Sequence, residues 1–222
     1  MNFFWRNVFI IQKLTELNQK AVNAVLWKNT RPFAEHPMPF DCGDVNYPHH
    51  SIEKATALVK QYGKPIKLQM IHTTTPRGRE YGEINQQLLK KAGMELELLP
   101  VDQNILVKRV FTNNYMMSGW RIADSVDVGP QLFGLSFSKS PYNITRHKTP
   151  MLDKLSLGMR MAKDEKTRKM MQCKMAAYIN KTSNMAFGAK SNYFIIMQPN
   201  VKGMRGFSYG TPYVWYLWKG KG

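Results

Sequence analysis

The stretch from residue 65 to 101 constrains the fold more than any other part of this chain. Ile66, Leu68 and Met70 alternate with Lys67 and Gln69, the period-two signature of a strand. Thr73-Thr74-Thr75-Pro76 turns the chain, and Tyr81, Ile84, Leu88 and Ala92 then recur at helical spacing up to Gly93. Met94, Leu96 and Leu98 alternate with Glu95 and Glu97 as a second strand. A strand–helix–strand unit of this length implies parallel strands joined by a right-handed crossover. Asp102 is placed to cap a further helix to about Thr112, and Tyr115–Trp120 supplies a third strand. The expected class is α/β, with a parallel or mixed central sheet flanked by helices.

The flanks read as follows. Phe4, Val8, Ile11, Leu14, Leu17, Ala21 and Val25 recur at three- and four-residue steps, which predicts a helix over 3–27. Residues 29–50, with Pro32, Pro37, Pro39 and Pro48, form a loop. Ser51 caps a helix that runs to Tyr62 and stops at Gly63. After an irregular stretch at 121–148, helices are expected from Met151 to Met161 and, capped by Asp164, to about Asn180. Tyr193–Met197 and the tail Tyr209–Trp218 are strand-like. There is no internal repeat and no low-complexity segment.

Composition narrows the class. Hydrophobic residues make up 43% of the 222 residues and aromatics 12%, enough for a packed core and against disorder. The formal charge is +17, and residues 139–190 hold twelve Lys and Arg against three Asp and Glu. Charge alone attracts nucleic acid or anionic lipid, but the basic residues form no recognisable nucleic-acid motif with stacking aromatics. Cys42 and Cys173 include no CxxC pair, and spacing leaves their pairing open. No run reaches the length of a membrane-spanning helix. The apolar N-terminus is interrupted at Arg6-Asn7 and no small-x-small cleavage site follows, so no signal peptide is read.

Catalytic, cofactor and metal signals are weak. No Ser/His/Asp set or carboxylate pair stands at catalytic spacing, and Thr73-Thr74-Thr75 lacks the glycines and lysine of a phosphate loop. No cofactor is therefore expected. His36, Cys42, His49 and His50 share a loop but match no closed zinc pattern. Met159, Met161, Met170, Met171 and Met175 fit helix faces that fill a core better than a soft-metal site.

One ordered set carries more. Ser51-Ile52-Glu53-Lys54-Ala55-Thr56-Ala57-Leu58-Val59-Lys60-Gln61-Tyr62-Gly63 is followed by Gln87-Leu88-Leu89-Lys90-Lys91-Ala92-Gly93-Met94. Next come Asn114-Tyr115-Met116-Met117-Ser118-Gly119-Trp120 and, late in the chain, Asn200-Val201-Lys202-Gly203. In order and spacing this resembles the second lobe of the family-5 solute-binding proteins, the peptide and nickel binders that feed ABC importers. The resemblance implies a type II periplasmic binding protein fold, single lobe (lobe II). Residues 1–202 would form that lobe, and a tail, 203–222, would return to a missing lobe I.

The resemblance also implies transport rather than reaction: capture of a peptide or similar small solute and delivery to an ABC permease. No nucleic-acid partner is expected, while self-association or a lobe I partner is. By resemblance the location is the periplasm or cell envelope. Three departures from the pattern are expected to matter: such proteins carry a secretion signal and a large first lobe ahead of this region, neither of which is read here, Asp127 is followed by Val128-Gly129-Pro130, and Met151 replaces a common acid.

Candidate ligand-binding residues follow. In Gly119-Trp120-Arg121-Ile122-Ala123-Asp124 the indole of Trp120 offers a flat wall, the Arg121 guanidinium can grip a carboxylate, and a carboxylate can pair with a ligand ammonium. In oligopeptide-binding relatives an acid shortly after this Trp takes the peptide amino group; Asp124 fills that place, with Asp127 as the alternative. Ser138 and Asn143, with Ser140 between them, could face ligand or make ordinary turns. Equally, Trp120 could pack in the core and Arg121–Asp124 form a surface ion pair.

Overall fold

In the computed structural model, residues 3–11, 16–26, 40–43, 45, 50–122, 127–182, 185–193, 196–205 and 213–220 are described. The elements are β1 (Phe3–Ile11), α1 (Glu16–Leu26), α2 (Ile52–Tyr62), β2 (Ile66–Thr73), α3 (Pro76–Lys91), β3 (Met94–Val101), α4 (Gln103–Phe111), β4 (Met117–Ile122), α5 (Gly129–Ser136), α6 (Pro150–Arg160), α7 (Glu165–Thr182), β5 (Met185–Tyr193), β6 (Val201–Lys202) and β7 (Trp218–Lys219).

Local chemistry explains the start of this order. The Ser51 side chain accepts from the Lys54 amide at 3.0 Å and opens α2. Gly63, at φ 71°, closes it by donating to the Val59 and Lys60 carbonyls. The expected parallel pair is present: β2 and β3 align in register from Ile66 opposite Met94 to Thr73 opposite Val101.

β4 then pairs parallel with the other side of β2, at Met70–Met117 and Ile71–Ser118. The chain therefore leaves β2 in one direction for β3 and comes back past β2 to reach β4. With right-handed crossovers, that reversal puts α3 and α4 on opposite faces of the sheet. The cores confirm it. Leu88 and Leu89 of α3 pack with α1, α2 and Ile66, Leu68, Met70 and Met117. Leu106 and Val110 of α4 pack with Ile71, Tyr115, Leu152 and Ile179 on the other face.

Five expectations need correction. Residues 3–11 form a strand, not the first turns of a helix; only 16–26 are helical. The run Phe3-Phe4-Trp5…Val8-Phe9-Ile10-Ile11 is dense in aromatic and β-branched residues, and its place between β4 and β5, antiparallel to both, overrides a three-to-four spacing. The sheet consequently has five strands in the order β3-β2-β4-β1-β5, not three.

The stretch 121–148 contains a helix, α5, whose Gly129-Pro130 start places proline in the first turn. The late strand is 185–193, so Ile196 and Met197 lie beyond it, and the tail is a short 3-10 turn (Val214–Tyr216) leading into β7.

Cys42 and Cys173 form a disulfide across 131 residues, which ties the 40–45 segment to α7. Asn180 adds a second tie, donating to the Val45 carbonyl at 2.9 Å.

Candidate functional site

The carboxyl ends of β2 and β4 flank the point where the strand order reverses. At such a switch point two adjacent loops part to opposite faces and leave a crevice. A cavity of about 480 Å³ occupies it. Its floor is Met70–Thr73 and Gly119–Arg121, and its walls are Thr75, Arg77, Gly78 and Tyr81 of the α3 start with Gln103 and Leu106 of α4.

The α3 start is tightly built. Thr75 caps the helix by accepting from the Gly78 amide at 3.1 Å, and its hydroxyl meets that of Thr73 at 2.9 Å. A side chain at Gly78 would collide with both the Thr73 hydroxyl and the Thr73 carbonyl, so glycine is required by that close approach. His72, 6% exposed, has Nδ1 3.0 Å from the Thr73 carbonyl oxygen. A carbonyl only accepts, so Nδ1 carries the proton and, in the neutral ring, Nε2 is the acceptor.

Charge in the cavity is positive. Arg77 and Arg121 line it, and none of its described lining residues is acidic. Burial pushes the Tyr81 hydroxyl well above its ordinary range, and the Arg121 and Arg77 charges offset only part of that. Tyr81 is therefore neutral at any ordinary pH. The α3 and α4 N-termini point partial positive charge the same way. The arrangement suits a carboxylate.

A second cavity, about 260 Å³, lies beyond Trp120 and shares Trp120 and Arg121 with the first. It is mostly apolar. Phe111 meets the Trp120 ring edge-on at 5.9 Å and the Tyr142 ring edge-on at 6.1 Å, and Leu135 and Ile144 complete the wall. Trp120 thus separates a cationic cavity from an aromatic one.

Known structures share this arrangement of elements. HbpA2 from Haemophilus parasuis matches 99% of this chain with a TM-score of 0.80 at 16% identity. The dipeptide binding protein from Pseudoalteromonas sp. SM9913, solved with Met-Leu, matches 97% with a TM-score of 0.80 at 16% identity. The substrate-binding domain of an oligopeptide ABC transporter from Bacillus anthracis matches 98% with a TM-score of 0.78 at 13% identity. The chain has the fold of one lobe of the family-5 solute-binding proteins. It spans about half the length of those structures: 49%, 48% and 50% respectively. No family model matches the sequence, and no curated protein matches it.

Within this binding-protein fold the six residues singled out from sequence separate. Trp120 and Arg121 sit together at the switch point. Asp124 lies outside the described residues. Asp127 is engaged at the start of α5, accepting from the Gly129 amide at 2.8 Å and from Gln172 at 3.2 Å, with Arg168 at 3.5 Å.

Ser138 spends its amide and hydroxyl on Asp153, at 2.7 and 2.5 Å. Asn143 is buried and holds the 137–147 loop, donating to the Phe137 and His147 carbonyls and accepting from Thr145. Both organise the loop under Tyr142 rather than facing a cavity.

Sequence reading missed Arg77, Tyr81 and Gln103. The signal was available: a helix start directly after a parallel strand whose two neighbours are reached in opposite directions. As for the loop cysteine weighed as a metal ligand, Cys42 is in the disulfide, and His36 and His49 lie outside the described residues.

Proposed function

We propose that the chain is the second lobe of a solute-binding protein that captures peptides, or similar small solutes, for an ABC importer without chemical change. The carrying observation is the cavity at the switch point, where Trp120 and two guanidiniums meet in the lobe fold of peptide binders. Arg77, Arg121 and the α3 N-terminus would hold the ligand carboxylate, the Trp120 indole would wall one side of the backbone, and Asp124 would take the ammonium. Asp127 is the weaker choice for that last role, because its carboxylate already serves α5 and α7.

Residues 1–202 form the lobe in this reading, and 203–222 reach toward a first lobe. Val214, Trp215 and Trp218 are 63%, 69% and 59% exposed, an apolar surface that such a lobe, or a second copy of the chain, would cover. The disulfide suits an oxidising compartment such as the periplasm or cell envelope.

With one wall of the cleft supplied, less ligand surface is buried and more water stays, so affinity drops steeply. Calorimetry of the chain against a mixed dipeptide library tests this. Binding weaker than micromolar is expected; micromolar or tighter binding by the monomer overturns the single-lobe reading.

A further inference from the structure

We propose that the outer face of the α6–α7 hairpin docks onto an anionic phospholipid bilayer surface. This face accounts for charge that the ligand site leaves unexplained, and it does not rest on the transport reading. The two helices pack antiparallel, with Gly158 of α6 against the Met171 side chain of α7 and with Met159, Met175 and Ala176 turned inward.

The turned-out positions follow helical spacing: Met151, Lys154, Leu157 and Met161 along α6, and Lys166, Met170 and Lys174 along α7. Met161 and Met170 correct the core assignment made from sequence, which holds for Met159, Met171 and Met175. Met151, Leu157, Met161 and Met170 are 46%, 42%, 76% and 44% exposed, whereas Met159 and Met175 are buried.

The acids of the hairpin are already occupied. Asp153 binds Ser138, Asp164 caps α7 through Thr167, and Glu165 pairs with Lys169 at 2.6 Å. Among the described residues, Lys154, Lys163, Lys166 and Lys174 have no ion pair. The result is one face that interleaves long, flexible cations with unbranched or γ-branched apolar side chains. Lysines of this kind lay their stems along apolar surface and raise their ammonium groups to headgroup phosphates, while Met and Leu enter the acyl boundary. No exposed aromatic ring stands among the described residues of this face, so it lacks the stacking groups that single-stranded nucleic acid uses.

Co-sedimentation of the chain with vesicles tests the proposal. Phosphatidylglycerol mixed into phosphatidylcholine should retain the protein at low salt, pure phosphatidylcholine should not, and salt should release it. Each lysine near the surface is worth roughly fivefold, so neutralising three of them in Lys154→Gln/Lys166→Gln/Lys174→Gln should lose on the order of a hundredfold. Leu157→Ser/Met161→Ser, with the charge unchanged, should lose several-fold. All five positions are exposed, and melting curves check that the variants stay folded.

Four results would overturn the proposal: no retention by phosphatidylglycerol vesicles, triple-variant binding equal to that of the parent chain, no effect of the apolar pair, or a tight complex with DNA in place of vesicles.

Discussion

The β2–α3–β3–α4–β4 unit and the helical layer α5–α7 are held by different kinds of contact. The first is local: β2 pairs with β3 across one crossover and with β4 after one more, and Thr75 starts α3 by accepting from the Gly78 amide three residues on. The second is pinned from far along the chain, by the Cys42–Cys173 disulfide, by Asn180 on the Val45 carbonyl and by Gln172 on Asp127. The cationic cavity belongs to the first region. The aromatic cavity sits on the seam, with Phe111 and Trp120 from one side and Leu135 and Tyr142 from the other. Anchoring charge is thus set by topology, and apolar shape by long-range packing.

The sharpest way to break this contrast is reduction of the disulfide. Removing a link of this span costs about 2–5 kcal/mol. Chemical unfolding with and without reductant should show the loss. Hydrogen exchange should show α5–α7 amides exposed first while 66–122 stay protected; uniform loss would mean the two regions are one unit.

Gly78→Ala attacks the local region instead. The added methyl must displace Thr73 and should cost about 1–3 kcal/mol in urea melts, with the aromatic cavity left intact. Tyr115→Phe probes the seam, removing a 2.6 Å hydrogen bond to the Ile144 carbonyl, and should cost about 1 kcal/mol.

The smallest effect is a pH dependence of the loop below the seam. Burial holds the His147 pKa below its ordinary 6.5. The unfolded chain therefore takes up the proton first, so this stability is fully present above 6.5 and is lost as pH falls below it. Thermal melts from pH 7.5 to 5.5 should decline more in the parent chain than in His147→Gln.

The same contrast governs what the sequence could tell. Alternation at 66–70 and 94–98, the Ser51 and Asp164 caps and Gly63 were legible because each depends on neighbours within a turn, whereas Asp102 starts α4 without a side-chain capping bond. The Gly119-Trp120-Arg121 run was legible because it lies toward the carboxyl end of the expected third strand. β1 was not, because its strand form comes from β4 and β5, more than a hundred residues away. Nor was Arg77, since nothing local marks it as lining the same cavity as Arg121. Ser138 and Asn143 look the same in sequence whether they bind ligand or hold a loop, and only Asp153 and the 137–147 carbonyls decide between these.

The most direct test of the central claim is an amide-shift map of the labelled chain titrated with a dipeptide at millimolar concentration. The account expects weak, saturable shifts confined to Thr73–Tyr81, Gln103–Leu106 and Gly119–Arg121, lost in Arg77→Ala/Arg121→Ala. Shifts centred on any other surface, or unchanged by that double substitution, would contradict it.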